Sequence, residues 1–313
     1  MKFKLALLLF IVLLLNISVF SQTTSPYDFL RLDLSARAAA LGGSFVSNID
    51  DPNVIFYNPA GEKMLTGSPA SFSFLKYLLD INFASVTYST DLKDIGRVAF
   101  ALKYDNYGKF TGADEFGNQT GEFSAGDAVI IIGYSNALDK NFYYGINGKF
   151  IYTSIADRSS SAFALDFGLN YNLPEKDLSV GFAILNVGSQ ISAYYDTKEK
   201  LPLDVTVGVS KAVPHTPLRI SIDFHRLNDS QSDLESHLRA FSIGTEFTLS
   251  KVLKLRLGYD NQKRQDLSIG SFAGLAGFSI GMGANVSGYS FDYGFSSFGA
   301  IGSLHRISVS TTF

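Results

Sequence analysis

The stretch Leu304 to Phe313, LHRISVSTTF, turns His305, Ile307, Val309, Thr311 and Phe313 to one side of an extended chain and Arg306, Ser308, Ser310 and Thr312 to the other. One row is largely apolar, the other polar or charged. A strand with a lipid face, a polar face and an aromatic last residue reads as the closing strand of an outer-membrane β-barrel, with Phe313 as its assembly signal.

The same period of two runs through the chain. Leu253, Leu255, Leu257 and Tyr259 oppose Lys254, Arg256, Gly258 and Asp260; Leu218, Ile220, Ile222 and Phe224 oppose Arg219, Ser221, Asp223 and His225. Alternation alone also fits a soluble sandwich with its charges outward. The barrel is favoured by a leader, the terminal Phe313, and 27 Phe and 16 Tyr spread over single positions with no helical membrane run after the leader.

Reading strands between Gly, Pro, Asn and Asp breaks gives about 14 of them, near 69–78, 81–90, 96–107, 126–138, 141–154, 160–173, 177–188, 203–212, 217–227, 236–249, 252–260, 273–285, 287–297 and 303–313. Most are long enough to cross a bilayer at a tilt. Gaps around Leu92, Asp139, Pro174, Pro214, Ser250 and Val286 are short, whereas 108–125, 189–202, 228–235 and 261–272 are long. Such barrels keep short turns in the periplasm, so the long gaps are expected to face outward. The first gap, near Leu79, is short and breaks the pattern. The expected fold is all-β, a 14-stranded antiparallel transmembrane barrel over 69–313.

Residues 1–21 read as a cleavable secretory signal: Lys2 and Lys4, an apolar run from Leu5 to Leu15, then Val19, Phe20 and Ser21 before Gln22. No cysteine is present, so neither a lipoprotein anchor nor a disulfide framework is expected. The formal charge of -3 becomes -5 once Lys2 and Lys4 leave, which argues against nucleic acid as a partner.

Residues 22–68 do not alternate. Ser35 can cap a short helix through the alanine run, Gly42 and Gly43 can end it, and Asn58-Pro59 marks a turn. Too small for a separate domain, the segment is expected to plug the lumen as a hatch, with a periplasmic arm as the other possibility. Gly181 or Gly208 could bear a bulge.

Tyr27 to Leu30 (YDFL), Ser35 to Gly43 (SARAAALGG) and Asn58 to Gly61 (NPAG) come first, followed by Tyr107 to Phe110 (YGKF) and Asp114 to Gly121 (DEFGNQTG) with Phe123. Asn186 to Gly188 (NVG), Leu201-Pro202 and His215 to Arg219 (HTPLR) complete the series. Their order and spacing resemble the PorV/PorQ family of outer-membrane proteins, its PorQ branch above all, over nearly the whole mature chain. That family is related to the FadL fatty-acid transporters. The resemblance implies a FadL-like barrel with a hatch marked by Ser35, Arg37, Gly42, Gly43, Asn58, Pro59, Ala60 and Gly61. It further implies a non-enzymatic scaffold of the type IX secretion system in the outer membrane, without cofactor, that serves export and surface attachment of cargo. Its implied partners are attachment-complex proteins, PorZ-like first, with PorU-like and PorV-like proteins as further candidates, besides outer-membrane lipid. The FadL relation supplies the alternative, a transporter of hydrophobic small molecules.

Rival chemistry is thinly supported. Ser279 in Gly277-Phe278-Ser279-Ile280-Gly281 matches a hydrolase nucleophile elbow only formally, because that motif needs a strand, a sharp turn and a helix. His215, His225, His237 and His305 lack metal-ligand spacing, and Asp50-Asp51 suits a turn start better than a cation site. No metal site is expected. Aromatic and charged residues of the long gaps are the expected partner contacts: Phe110, Asp114, Glu115, Phe116, Asn118 and Phe123, with Tyr194, Tyr195 and Asp196. Tyr194 and Tyr195 could equally belong to an aromatic girdle.

Overall fold

The computed structural model describes residues 25–79, 81–228, 234–267 and 274–313; the expected leader lies outside the described residues. Fourteen antiparallel strands close into one barrel in chain order, β1 pairing with β14 as well as β2. They are β1 Pro69–Lys76, β2 Asn82–Leu92, β3 Gly96–Ala113, β4 Gln119–Asp139, β5 Phe142–Ile155, β6 Arg158–Leu173 and β7 Leu178–Ser192. The second half comprises β8 Asp204–Ala212, β9 Leu218–Phe224, β10 Phe241–Thr248, β11 Leu253–Asp260, β12 Phe278–Val286, β13 Tyr289–Ser297 and β14 Ser303–Thr312. The seam registers Phe72 opposite Val309 and Phe74 opposite Ile307.

Burial alternates along each strand. Phe72, Tyr88, Phe100, Ile132, Leu257 and Ile307 are exposed on the outside, whereas Ser73, Thr87, Lys103, Lys149, Arg256 and Arg306 are buried on the inside. An apolar belt around a closed sheet is stable against lipid and costly in water, at about 25 cal/mol per Å². No helix among the described residues is long and apolar enough to cross a membrane.

The wall is uneven. Strands β3 and β4 run 18 and 21 residues and β5 to β7 run 14 to 16, whereas β8 to β13 run 7 to 9. Both ends of the barrel and the short turns lie at one mouth. At the other, β1–β2 and β5–β6 are joined tightly, the second through Ala156 and Asp157 alone.

Three expectations need correction. The segment 108–125 is not an irregular loop, because β3 and β4 continue as a hairpin from Lys109 opposite Ser124 to Ala113 opposite Gln119, leaving 114–118 as its turn. Its glycines read as breaks, but a bulge at Tyr107–Gly108, with Gly108 at φ 80°, resets the register. The stacked pair Phe110–Phe123 (5.4 Å) and the ion pair Lys109–Glu122 (3.0 Å) then carry the ladder onward. Residues 236–239, expected as strand, belong to a helix over Leu234–Arg239, closed by Ala240 N donating to His237 O. Strand β12 starts at Phe278 instead of 273, after a turn in which Gly274 and Gly277 hold positive φ.

Candidate functional site: hatch, lumen wall and side notch

Residues 25–68 thread the lumen from the long-loop mouth to the short-turn mouth. At the top, Ser25 Oγ donates to Lys200 O (2.6 Å), Tyr27 OH meets Ser160 Oγ (2.6 Å), and Arg31 Nη2 donates to Leu203 O (2.8 Å). Lys103 Nζ donates to Phe29 O. At the bottom, Arg97 donates to Leu65 O (2.6 Å) and Gly67 O (3.1 Å).

Between them lies α1, Ala36–Ala40, where Ser35 Oγ accepts from Ala38 N (3.3 Å) and the chain turns at Gly42 and Gly43, φ 69° and 84°. Alanine is the best helix former, and its small side chain lets α1 lie directly on glycines of the wall. A Cβ on Gly294 would sit 2.5 Å from Ala36 O, and one on Gly258 2.1 Å from Gly42 N.

Arg37 projects from α1 into a buried charge network. Its guanidinium meets Glu246 (3.0 Å), Asp50 (2.9 Å) and Asp51 (3.6 Å); Glu246 also meets Arg256 (2.7 Å) and Lys254 (3.1 Å), and Arg256 reaches Asp292 (2.5 Å). Burial opposes the Arg37 charge, but Asp50, Glu246 and Asp51 outweigh it and hold the guanidinium well above its ordinary range. Asp51 also caps the 3-10 turn Pro52–Phe56. No cluster of three or more potential metal ligands occurs among the described residues.

Against β5 and β6 the hatch is held by shape and neutral groups. Asn58 caps the 3-10 turn Pro59–Met64 by accepting from Ala60 N (3.1 Å), and its Nδ2 donates to Val46 O (2.8 Å) and Leu169 O (3.0 Å). Pro59 packs where Gly145 leaves room, since a Cβ there would be 2.4 Å from Pro59 C. Gly61 is likewise hemmed in by Val54 and Asn48. Glu62 is buried, and that burial raises its carboxyl to about 8 despite hydrogen bonding from Ser89 and the nearby Arg97.

The expected bulge at Gly181 or Gly208 is absent there; the hatch needs those glycines because Val46 lies against both. The bulge falls instead at Leu185–Asn186, with Asn186 at φ 62°. Asp166 accepts from Asn186 N (2.9 Å), Lys149 donates to Asn186 Oδ1 (2.8 Å), and Asn186 Nδ2 donates to Pro202 O (3.1 Å). The β7–β8 ladder stops at Leu185–Asp204, while β7 stays paired with β6 up to Ser192.

This leaves a notch of about 420 Å³ lined by Val187, Gln190, Leu201, Pro202, Leu203 and Arg31. Arg31 and Asn186 also line an inner cavity of about 140 Å³ bounded by Asp33, Tyr57, Asp223 and Lys263. A third space of about 240 Å³, lined by Leu41, Ser47, Asp50 and Arg219, lies nearer the short-turn mouth. The hatch segment Leu41–Ser47 separates the last two; Asp223 Oδ2 pins it by accepting from Phe45 N (2.6 Å) and Val46 N (2.8 Å).

The loop residues expected to bind a partner fall into separate groups. Asp114 accepts from Phe116 N (2.9 Å) and Asn118 N (2.8 Å) at the hairpin tip; the Asn118 side chain and these backbone donors hold its carboxyl below the usual range. Glu115 is exposed, and Phe116 is 81% exposed. On the β7–β8 connection, Tyr194 turns inward to Thr153 (2.5 Å), Tyr195 lies under the Arg158 guanidinium (4.2 Å), and Asp196 is exposed. Ser279 sits within β12, opposite Ser296, with strand on both sides. His225 meets Ser242 (2.9 Å) and His305 meets Tyr293 (2.7 Å).

Sequence reasoning missed Glu246, Arg256, Asp292, Asp166 and Lys149 as site residues. Their signal was present: each is a charge on the lumenal row of an alternating strand.

No protein-family model and no curated protein sequence matches the chain. Solved structures do. The Pseudomonas putida toluene transporter TodX is 14% identical, with TM-score 0.60, over 93% of this chain and 97% of its own. The Ralstonia pickettii toluene transporter TbuX is 13% identical, with TM-score 0.59, over 89% and 98%. A Pseudomonas aeruginosa FadL homologue is 9% identical, with TM-score 0.57, over 89% and 98%. At these identities the likeness concerns the fold: a closed, FadL-like 14-stranded barrel.

Proposed function

We propose that this outer-membrane barrel passes hydrophobic small molecules, taken in at the notch between β7 and β8 and moved along the β7–β10 wall when the Leu41–Ser47 segment yields. The observation that carries the reading is the notch itself, a space within the usual 300–1,000 Å³ of ligand sites that shares Arg31 and Asn186 with the lumenal cavity. The toluene transporters TodX and TbuX, which share the fold, support it. Apolar Val187, Leu201, Pro202 and Leu203 would take the hydrophobic body, and the charged groups of the inner cavity, Lys149 and Lys263 among them, any hydrophilic end. The test is entry of a hydrophobic naphthalene-type dye into proteoliposomes. Entry that is lost when Val187→Trp fills the notch supports the reading; barrel-independent entry sinks it.

A second reading rests on the β3–β4 hairpin, which stands beyond its neighbours and carries the exposed Phe116 at its tip. Together with the PorV/PorQ resemblance it supports a non-enzymatic scaffold that holds a PorZ-like attachment protein at the cell surface for type IX secretion. Crosslinking the tagged protein in intact outer membranes and identifying what comes with it separates the two. Attachment proteins lost on trimming the hairpin favour the scaffold; barrel with lumenal lipid alone favours the conduit.

A further inference from the structure

The β11–β12 connection begins with helix α3, Asn261–Asp266, numbered after α2, Leu234–Arg239. Six residues, NQKRQD, are too few and too polar to be helical alone. Polar ties hold α3 in place: Asp260 caps it by accepting from Lys263 N (3.0 Å), Asn261 Nδ2 donates to Arg239 O (2.8 Å), and Arg264 donates to Gly274 O (3.1 Å).

The Lys263 side chain reaches from the helix to the hatch. Lys263 Nζ lies 3.0 Å from Asp33 Oδ2 and 3.1 Å from Asp260 Oδ2. Asp33 is buried at the bend of the hatch between the 3-10 turn Asp28–Arg31 and α1. Its carbonyl accepts from Arg306 Nε (2.6 Å), and Gly43 passes close to its carboxylate, a Cβ there being 3.3 Å from Oδ2. Gln262 and Lys263 also border the inner cavity. Lys263 of this short polar helix thus ties to the hatch at Asp33, beside the glycine turn at Gly43.

We propose that α3 is a latch: Lys263 couples α3 to Asp33, so that lifting α3 from the rim loosens residues 33–43 and uncovers the inner cavity. The purpose of the latch rests on the conduit reading; its existence does not.

Hydrogen exchange on the full-length barrel in detergent tests it, comparing wild type with Lys263→Met, Lys263→Arg and, as a control on another connection, Lys198→Met. Because the Lys263 side chain is 36% exposed, the tie is a partly screened ion pair. Lys263→Met should speed exchange of amides 33–43 about two- to fivefold and leave β10 and β11 unchanged, with Lys263→Arg and Lys198→Met near wild type. Wild-type exchange in Lys263→Met overturns the latch. Should that chain fail to assemble, Asp33→Asn tests the same tie from the hatch side with the same two outcomes. Faster exchange without dye entry leaves the latch standing and counts against the conduit instead.

Discussion

The tall wall, β3 to β7, and the short wall, β8 to β14, both set glycines against the hatch, but the wall carboxylates that ion-pair with it, Asp204 and Glu246, lie on the short side. The short wall adds charge: Glu246 takes Arg37 (3.0 Å) and is itself held by Arg256 (2.7 Å), which reaches Asp292 (2.5 Å). The tall wall uses fit: Gly145 and Gly168 press on Asn58 and Pro59, and Asn147 donates to Ile55 O (2.9 Å). Above the lumen the contrast reverses. The tall wall ends in bare strands and a projecting hairpin, while the short wall ends in α2 and α3, and the notch opens where the two meet. A hatch packed on glycines on both sides and ion-paired to the wall on one is expected to loosen first where a contact is removed.

The comparison can be broken most strongly at Arg37. Arg37→Met takes from buried Asp51 its cationic partner and from Glu246 one of three, and should weaken hatch docking by about 3–5 kcal/mol, seen as faster exchange of residues 33–50 in an assembled barrel. On the tall wall, Gly145→Ala forces a Cβ into Pro59 and should cost about 1–3 kcal/mol, with exchange rising at residues 56–64 and not at α1. At the junction, Asn186→Ala removes the donor to Pro202 O and the acceptor for Lys149, a loss of about 1–3 kcal/mol that should relax the bulge and cut dye binding in the notch.

A subtler contrast concerns pH. Glu62 stays protonated in the docked hatch up to about 8, against an ordinary value of 4.5. When the hatch is released the carboxyl ionises from 4.5 upward, so docking should weaken as pH rises between those values and level off above them. Glu62→Gln should flatten that dependence in exchange measured across the same range. The smallest effect is expected at Phe116→Ser, within about 0.5 kcal/mol in stability, while attachment-protein capture would fall if the scaffold reading holds.

Much of the barrel was legible residue by residue. The rows Leu253/Leu255/Leu257 and Lys254/Arg256/Gly258 face outward and inward as their alternation demands, because a closed sheet in lipid leaves a strand no other choice. Ser35 and the Gly42-Gly43 stop were equally readable, since capping is local chemistry. The hairpin beyond Tyr107 was not, because its glycines mark a loop unless a bulge and the Phe110–Phe123 stack rescue the ladder. Helix α2 was missed for a related reason: short polar segments take the structure that their anchor points impose.

By itself, then, the sequence determined strand number, facing and caps, which depend on neighbours one to four residues away. Only the tertiary structure decided that Arg37 meets Glu246, 209 residues on, that Asp166 and Pro202 bend β7 away from β8, and that Lys263 reaches Asp33. Those contacts exist because closing the barrel brings distant strands around one threaded segment, and no local pattern records which lumenal charge that segment will meet.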